Sequence, residues 1–139
     1  MKQKVLNKVL KVSRELNKPS IHPEYGNYHH FSFIVIGDNI IGYGMNDTKS
    51  STAPNPRFLG YGYIDNDEEL KKAKVHSEIN AYFKNKYYID GAPFDVINVR
   101  LNKRGELRHS QPCECCLKFL KDMNVRRIYF STENGFERN

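Results

Sequence analysis

All three cysteines of this chain lie in one short stretch, Pro112-Cys113-Glu114-Cys115-Cys116. Cysteines this close together cannot cross-link distant segments, which excludes the disulfide framework that stabilises small secreted domains. Their clustering favours metal or redox chemistry instead. Cys113 and Cys116 are three residues apart, so in a helix their sulfurs project to one side about a turn apart and can share one metal ion.

A second part of the same site is predicted at His76-Ser77-Glu78, 37 positions before Cys113. Both stretches open predicted helices, whose N-termini favour thiolates, the form of cysteine that binds zinc. His76 supplies a third ligand and leaves a fourth position for water, as in catalytic zinc sites. Glu78 is the candidate general acid and base, because it lies close to that water without being needed as a ligand. Cys115 would be turned about 100° from Cys116 and is interpreted as a packed residue.

The spacing of apolar and basic residues in the N-terminal segment 1–18 predicts a basic amphipathic helix over about 2–17. Its six basic residues and one acidic residue give a charge of +5, out of +6 for the whole chain. A solvated lysine face that covers the core and a nucleic-acid-binding patch are both compatible with this pattern. The first residues carry lysines where a signal peptide would be apolar, and no run approaches the roughly 18 apolar residues of a membrane span. We therefore expect a soluble, cytoplasmic protein without a membrane partner.

The remaining pattern predicts a single α/β domain over 1–139, with one mixed sheet and helices on its faces. Strands are predicted at 31–36 and 40–45, joined by a turn at 37–39, and further strands at 94–101, 106–110 and 126–131. Helices are predicted at 75–87 and 113–123, the second opened by Pro112. Residues 46–66 are expected to form a long irregular loop. His29 and His30 precede the first strand and are interpreted as solvent-exposed or loop residues, with a role near the pocket as the alternative.

The pattern His-x-Glu followed by Pro-Cys-x-x-Cys resembles the motif of the zinc-dependent cytidine deaminase superfamily. The resemblance covers the order of elements from about residue 28 to 131 and implies a three-layer α/β/α fold. It also implies zinc held by His76, Cys113 and Cys116, with Glu78 moving protons. A histidine as first ligand resembles the branch of deoxycytidylate, guanine and tRNA adenosine deaminases and of polynucleotide cytosine editors.

Residues 42–46 resemble the segment of the family that ends in a substrate-contacting asparagine. Asn46 is therefore a candidate contact to ribose or base, although an asparagine there also suits a turn that ends a strand. Two departures from the family are visible. The hairpin before Pro112 is longer than in compact relatives, and the chain ends before the usual final helix and strand, which predicts a C-terminally shortened fold.

These features lead to three hypotheses about function. The first is a hydrolytic deaminase that converts the amino group of a nucleobase to a carbonyl, with cytosine of a nucleoside or (deoxy)nucleotide as substrate. The second is a deaminase acting on cytosine or adenine in single-stranded DNA or RNA, suggested by the basic helix and the tyrosines of the long loop. The third is a non-catalytic module stabilised by zinc that binds nucleic acid. The resemblance also implies a homo-oligomer.

Overall fold

A computed structural model describes residues 1–17, 28–46 and 76–139 of the chain. Within these ranges the backbone forms four helices and six strands. In chain order they are α1 (Gln3–Leu16), β1 (Tyr28–Ile36), β2 (Asn39–Met45), α2 (Ser77–Lys84), α3 (Lys86–Ile89), β3 (Phe94–Asn102), β4 (Leu107–Arg108), α4 (Glu114–Asp122), β5 (Val125–Thr132) and β6 (Gly135–Arg138).

The strands form one six-stranded sheet in the order β2-β1-β3-β5-β6, with β4 paired to β3 outside this order. The β1–β2, β1–β3, β3–β4 and β5–β6 pairs are antiparallel, whereas β3 and β5 run parallel. Because α4 lies between β3 and β5 in the chain, it forms the crossover that a parallel pair requires. The predicted α/β fold with a single mixed sheet is confirmed at this level.

Alternating side chains of the inner strands serve two separate cores, as expected for a sheet covered on both faces. In β1, Phe31, Phe33 and Val35 belong to the cluster that includes α1. Ile34 belongs to the cluster that includes α2, α3 and α4. The helices therefore lie on both sides of the sheet, with α1 alone on one side among the elements described.

Helix α1 has the predicted amphipathic character. Val5, Leu6 and Val9 are buried against the sheet, while Lys4 and Lys8 are exposed. The lysine face thus points away from the core on the side of the sheet opposite α2 and α4. Within the described residues, no helix is long and apolar enough to cross a membrane.

Strand β2 approaches helix α2 closely at Gly44. A Cβ atom built there would lie 2.6 Å from the Cα atom of Ala81 and 2.8 Å from the carbonyl carbon of Asn80. Asn80 also donates from its side chain to the carbonyl oxygen of Met45 at 2.7 Å. The absence of a side chain at Gly44 therefore allows the helix that begins beside His76 to pack directly against the backbone of β2.

Several boundaries differ from the sequence prediction. The helix predicted over 75–87 is interrupted at Asn85, which leaves the helical region with ψ 12° and donates from its side chain to the carbonyl oxygen of Ala81. Asparagine side chains compete with helical backbone bonds in this way. Pro112 precedes Cys113, the N-cap of α4, and so lies outside the helix that it was expected to open. The strand predicted over 106–110 is confined to Leu107–Arg108.

Strand β6 was not predicted. It pairs antiparallel with β5 from Thr132↔Gly135 to Tyr129↔Arg138, so the chain continues in the sheet after the last predicted strand. Gly135 has a φ of 129°, a conformation that other residues rarely adopt. The loop predicted over 46–66 lies outside the described residues except for Asn46.

Candidate metal centre

The centre lies where two helices begin. His76 is the N-cap residue of α2, and Cys113 is the N-cap residue of α4. The two helices pack on the same side of the sheet. Residues that are 37 positions apart in the chain are thereby brought together at adjacent helix starts.

The ligand atoms of His76, Cys113 and Cys116 all lie within 4.8 Å of one another. The imidazole Nδ1 of His76 is 3.5 Å from the Sγ of Cys113 and 3.4 Å from the Sγ of Cys116. In a tetrahedral zinc site, Zn–S and Zn–N bonds of ordinary length place sulfur and nitrogen about 3.6 Å apart. The spacing and the donor types of these three residues therefore fit a zinc ion, with one coordination position not supplied by them.

Hydrogen bonds prepare the sulfur of Cys113 as an anion. The thiol of Cys116 bonds to it, and the backbone N–H of Cys116 donates to it at 3.5 Å as a cap of α4. These bonds, together with His76, lower the pKa of Cys113 to about 4. They outweigh burial, which on its own would raise this pKa. The same hydrogen bond to Cys113, together with burial, raises the pKa of Cys116, so its proton must leave when a metal binds.

Cys115 has a different environment. It is buried in the core cluster between the sheet and α4, 3% exposed, and burial is the main reason that its pKa is raised to about 11. A buried neutral thiol behaves as a small apolar side chain. The interpretation of Cys115 as a packed residue agrees with this position.

Glu78 is 4% exposed and lies in the first turn of α2, where it borders the same pocket as His76 and Cys113. Burial raises the pKa of its carboxyl group, against the opposing effects of its own backbone N–H, of His76, of the neighbouring Cys116 and of the hydrogen bond from Asn98. The Asn98 bond is short: Nδ2 donates to Oε1 of Glu78 at 2.6 Å. A carboxyl group with a raised pKa is suited to accepting and returning a proton near neutral pH.

The pocket in front of the cluster has a volume of about 340 Å³. Its lining among the described residues consists of His30, Asn46, His76, Ser77, Glu78, Gln111 and Cys113. Asn46 therefore lies where a substrate contact was expected, and its Oδ1 accepts a hydrogen bond from the backbone N–H of His30 at 3.2 Å. That bond fixes the side chain of Asn46 at the end of β2.

The interpretation of His29 and His30 as loop residues was wrong. Strand β1 begins at Tyr28, so both histidines are within the sheet and His29 is 5% exposed. His30 lines the pocket, where burial lowers its pKa to about 4, assisted by Arg100 and His76. It is therefore a neutral imidazole at physiological pH. The alternation of Phe31, Phe33 and Val35 could have revealed that His30 faces the other side of the sheet.

Asn98, Ser77 and Gln111 are further parts of the site that were not predicted. Ser77 lies within the motif His76-Ser77-Glu78 and Gln111 directly precedes Pro112, so proximity in sequence was the available signal. Asn98 is a polar residue in the middle of an otherwise apolar strand, and a polar side chain buried among apolar neighbours calls for a specific partner.

No family model matches the chain, and no curated protein is significantly similar to it. The structure therefore contributes a mixed α/β sheet and a cluster of His76, Cys113 and Cys116 that can hold a metal ion.

Proposed function

We propose that this chain is a zinc-dependent hydrolytic deaminase of the cytidine deaminase superfamily. Its substrate in this proposal is the cytosine of a nucleoside or (deoxy)nucleotide, which is converted to uracil. The observation that carries the proposal is one arrangement: three ligand atoms within 4.8 Å of one another at two helix starts, with the buried carboxyl group of Glu78 bordering the same pocket.

His76, Cys113 and Cys116 would hold the zinc ion. When bound, zinc lowers the pKa of a water molecule and so supplies hydroxide near neutral pH. Glu78 accepts the proton that the water loses and returns it to the ring nitrogen of the base. The hydroxide oxygen would bond to the ring carbon that carries the amino group. Glu78 would then move the proton of the new hydroxyl group to that amino group, so that the C–N bond breaks, ammonia leaves and a carbonyl group remains.

A closed structural zinc site explains these residues less well. Such sites supply four protein ligands, and the cluster in the described part of the chain contains three. A structural site also has no use for a buried carboxyl group whose pKa is raised beside it. Glu78 therefore distinguishes the enzyme hypothesis from that of a non-catalytic zinc module.

The position of α1 favours a small substrate. Its exposed lysines lie on the side of the sheet opposite α2 and α4, whereas the pocket lies at the N-terminal ends of those two helices. The basic face of α1 therefore does not line the pocket. A base in single-stranded DNA or RNA remains the alternative substrate class.

The test is ammonia release from a panel of substrates by the zinc-loaded protein and its Glu78→Gln variant. The panel contains deoxycytidine, cytidine, their monophosphates, guanine, and single-stranded DNA and RNA. We expect turnover of a cytosine monomer and a loss of about 10²- to 10⁴-fold in Glu78→Gln, with zinc content retained. Turnover confined to polynucleotides would favour the alternative substrate, and no turnover of any substrate would contradict the proposal.

A further inference from the structure

A buried hydrogen-bond network lies behind the pocket and ends on Glu78. Its central residue is Asn98 of β3, which is 1% exposed. The side-chain Nδ2 of Asn98 donates to Oε1 of Glu78 at 2.6 Å and to the carbonyl oxygen of Ser110 at 3.1 Å. Its Oδ1 accepts from the hydroxyl group of Ser32 at 2.6 Å. All hydrogen-bonding groups of this amide thus have partners.

These partners permit only one orientation of the Asn98 amide. If the amide were flipped, Oδ1 would face the carboxyl group of Glu78 and the carbonyl oxygen of Ser110, and both of these ordinarily accept hydrogen bonds. The NH₂ group would then face Ser32. The observed orientation instead gives both amide hydrogens to oxygen acceptors and gives Oδ1 a donor, so the donor to Glu78 is fixed by its surroundings.

Ser32 links this network to the start of α2. Its hydroxyl hydrogen is used in the bond to Asn98, so in the 2.7 Å pair between Ser32 and Ser77 the hydroxyl group of Ser77 is the donor. Ser77 immediately precedes Glu78 in the first turn of α2. Strands β1 and β3 therefore bond both the side chain of Ser77, which precedes Glu78, and the carboxyl group of Glu78 itself.

From this geometry we infer that Asn98 is a positioning residue for the deamination reaction: its amide holds the carboxyl group of Glu78 in the orientation needed for proton transfer at the metal centre. The inference rests on the proposed function, because it assigns Glu78 the proton-transfer role. Asn98 itself lies behind Glu78 and is not among the residues that line the pocket. It acts through Glu78, and Ser32 and Ser110 fix the direction in which it donates.

The decisive variant is Asn98→Asp, which keeps the shape of the side chain and replaces the donor with a carboxylate oxygen. Two carboxyl groups would then face each other at hydrogen-bond distance and compete for one proton. We expect kcat to fall about 100-fold, the loss typical of a misplaced catalytic group. KM should stay within about threefold, and the zinc content should be unchanged, because His76, Cys113 and Cys116 are not touched.

Two further variants separate positioning from general support of the fold. Ser32→Ala removes the donor that orients the Asn98 amide and should lower kcat in the same direction by about tenfold, the rate equivalent of one lost hydrogen bond. Asn102→Asp is the matched control. Asn102 lies on the same strand and also donates to a glutamate, Glu106, at 3.0 Å. Unlike Glu78, Glu106 does not line the pocket, so Asn102→Asp should keep the kcat of the wild type.

A measurement that needs no turnover tests the contact separately from the proposed function. The loss of Tm caused by Asn98→Asp should be smaller in a Glu78→Ala background, because the opposing carboxyl group is then absent. If the wild type deaminates nothing but this coupling is observed, the proposed function fails and the contact stands. An unchanged kcat in Asn98→Asp, loss of zinc together with kcat, or equal Tm losses in both backgrounds would each overturn the inference. If Asn98→Asp does not fold, an unchanged kcat in Ser32→Ala overturns it.

Discussion

Replacing Gly44 with alanine would place a methyl group between strand β2 and helix α2. The new Cβ atom would lie 2.6 Å from the Cα atom of Ala81 and 2.8 Å from the carbonyl carbon of Asn80. Carbon atoms in favourable contact are about 3.5–4.0 Å apart, so strand and helix would have to separate by about 1 Å. Both obstructing atoms belong to the backbone, and rotation of a side chain cannot relieve the contact.

The expected cost follows from two opposing effects. Overpacking a well-packed interior costs about 1–3 kcal/mol, and a rigid backbone neighbour puts Gly44→Ala near the upper end of that range. Alanine also restricts the unfolded chain more than glycine, which offsets about 0.4–1 kcal/mol. We therefore expect Gly44→Ala to lower the free energy of unfolding by about 2 kcal/mol, measured by urea denaturation of the metal-free protein.

Gly42 of the same strand provides the matched comparison. A Cβ atom there would lie 2.8 Å from the Cγ atom of Asn85, which belongs to a side chain. Truncation of that side chain in Asn85→Ala should therefore relieve Gly42→Ala, whereas it should do nothing for Gly44→Ala. The comparison requires a double-mutant cycle, since Asn85→Ala also loses the bond to the carbonyl oxygen of Ala81.

Displacement of α2 should also affect the metal centre, because His76 and Glu78 are carried by the start of this helix. We expect weaker zinc binding in Gly44→Ala than in Gly42→Ala/Asn85→Ala at equal folded fraction, measured by competition with a chelator. A Gly44→Ala protein as stable as the wild type would refute the reasoning. So would equal rescue of both glycine variants by Asn85→Ala.

Three further predictions concern charge and metal. Asp95→Asn should cost about 1.5 kcal/mol at pH 7, since the buried carboxylate of Asp95 accepts charge-assisted hydrogen bonds from two partly exposed arginines. Burial opposes these bonds, but they outweigh it and hold the pKa of Asp95 below its usual value. The difference in urea stability from the wild type should therefore begin to shrink near the unfolded pKa of about 3.9 and disappear only below the lower folded pKa; a constant difference would contradict this. Cys113→Ser should abolish stoichiometric zinc binding but leave the far-UV circular dichroism spectrum unchanged, because serine also caps helices. Cys115→Ser should retain zinc binding and lower Tm, because Cys115 is part of the buried core. Since the pKa of Cys116 is raised, zinc binding should release protons and tighten from pH 6 to pH 8, which calorimetry in buffers of different ionisation enthalpy would detect.

The metal cluster could be predicted from sequence because its information is local. Cys113 and Cys116 are about one helical turn apart, and Glu78 follows His76 by two positions. These short spacings determine how the residues are arranged within each half of the cluster. The mixed sheet could likewise be predicted from the order and period of the apolar runs. Each half of the cluster and each predicted strand was inferred from residues that are close in the chain, whereas the pairing of His76 with Cys113, 37 positions away, followed from the resemblance of the whole motif.

The network around Asn98 could not be predicted in the same way. Ser32 and Asn98 are 66 positions apart and meet only because β1 and β3 pair in a particular register. A shift of that register by one residue would turn Asn98 to the opposite face of the sheet, toward α1. His30 was missed for a related reason, since its role depends on β1 beginning earlier than the apolar run.

Cys113 has two structural roles that can be separated by substitution. Its sulfur caps the N-terminus of α4 and can also serve as a metal ligand. Serine and aspartate fill the first role as well as cysteine does. An exchange of Cys113 for serine or aspartate would therefore retain the start of α4 and remove one of the three residues that can hold a metal ion, leaving the pocket in place.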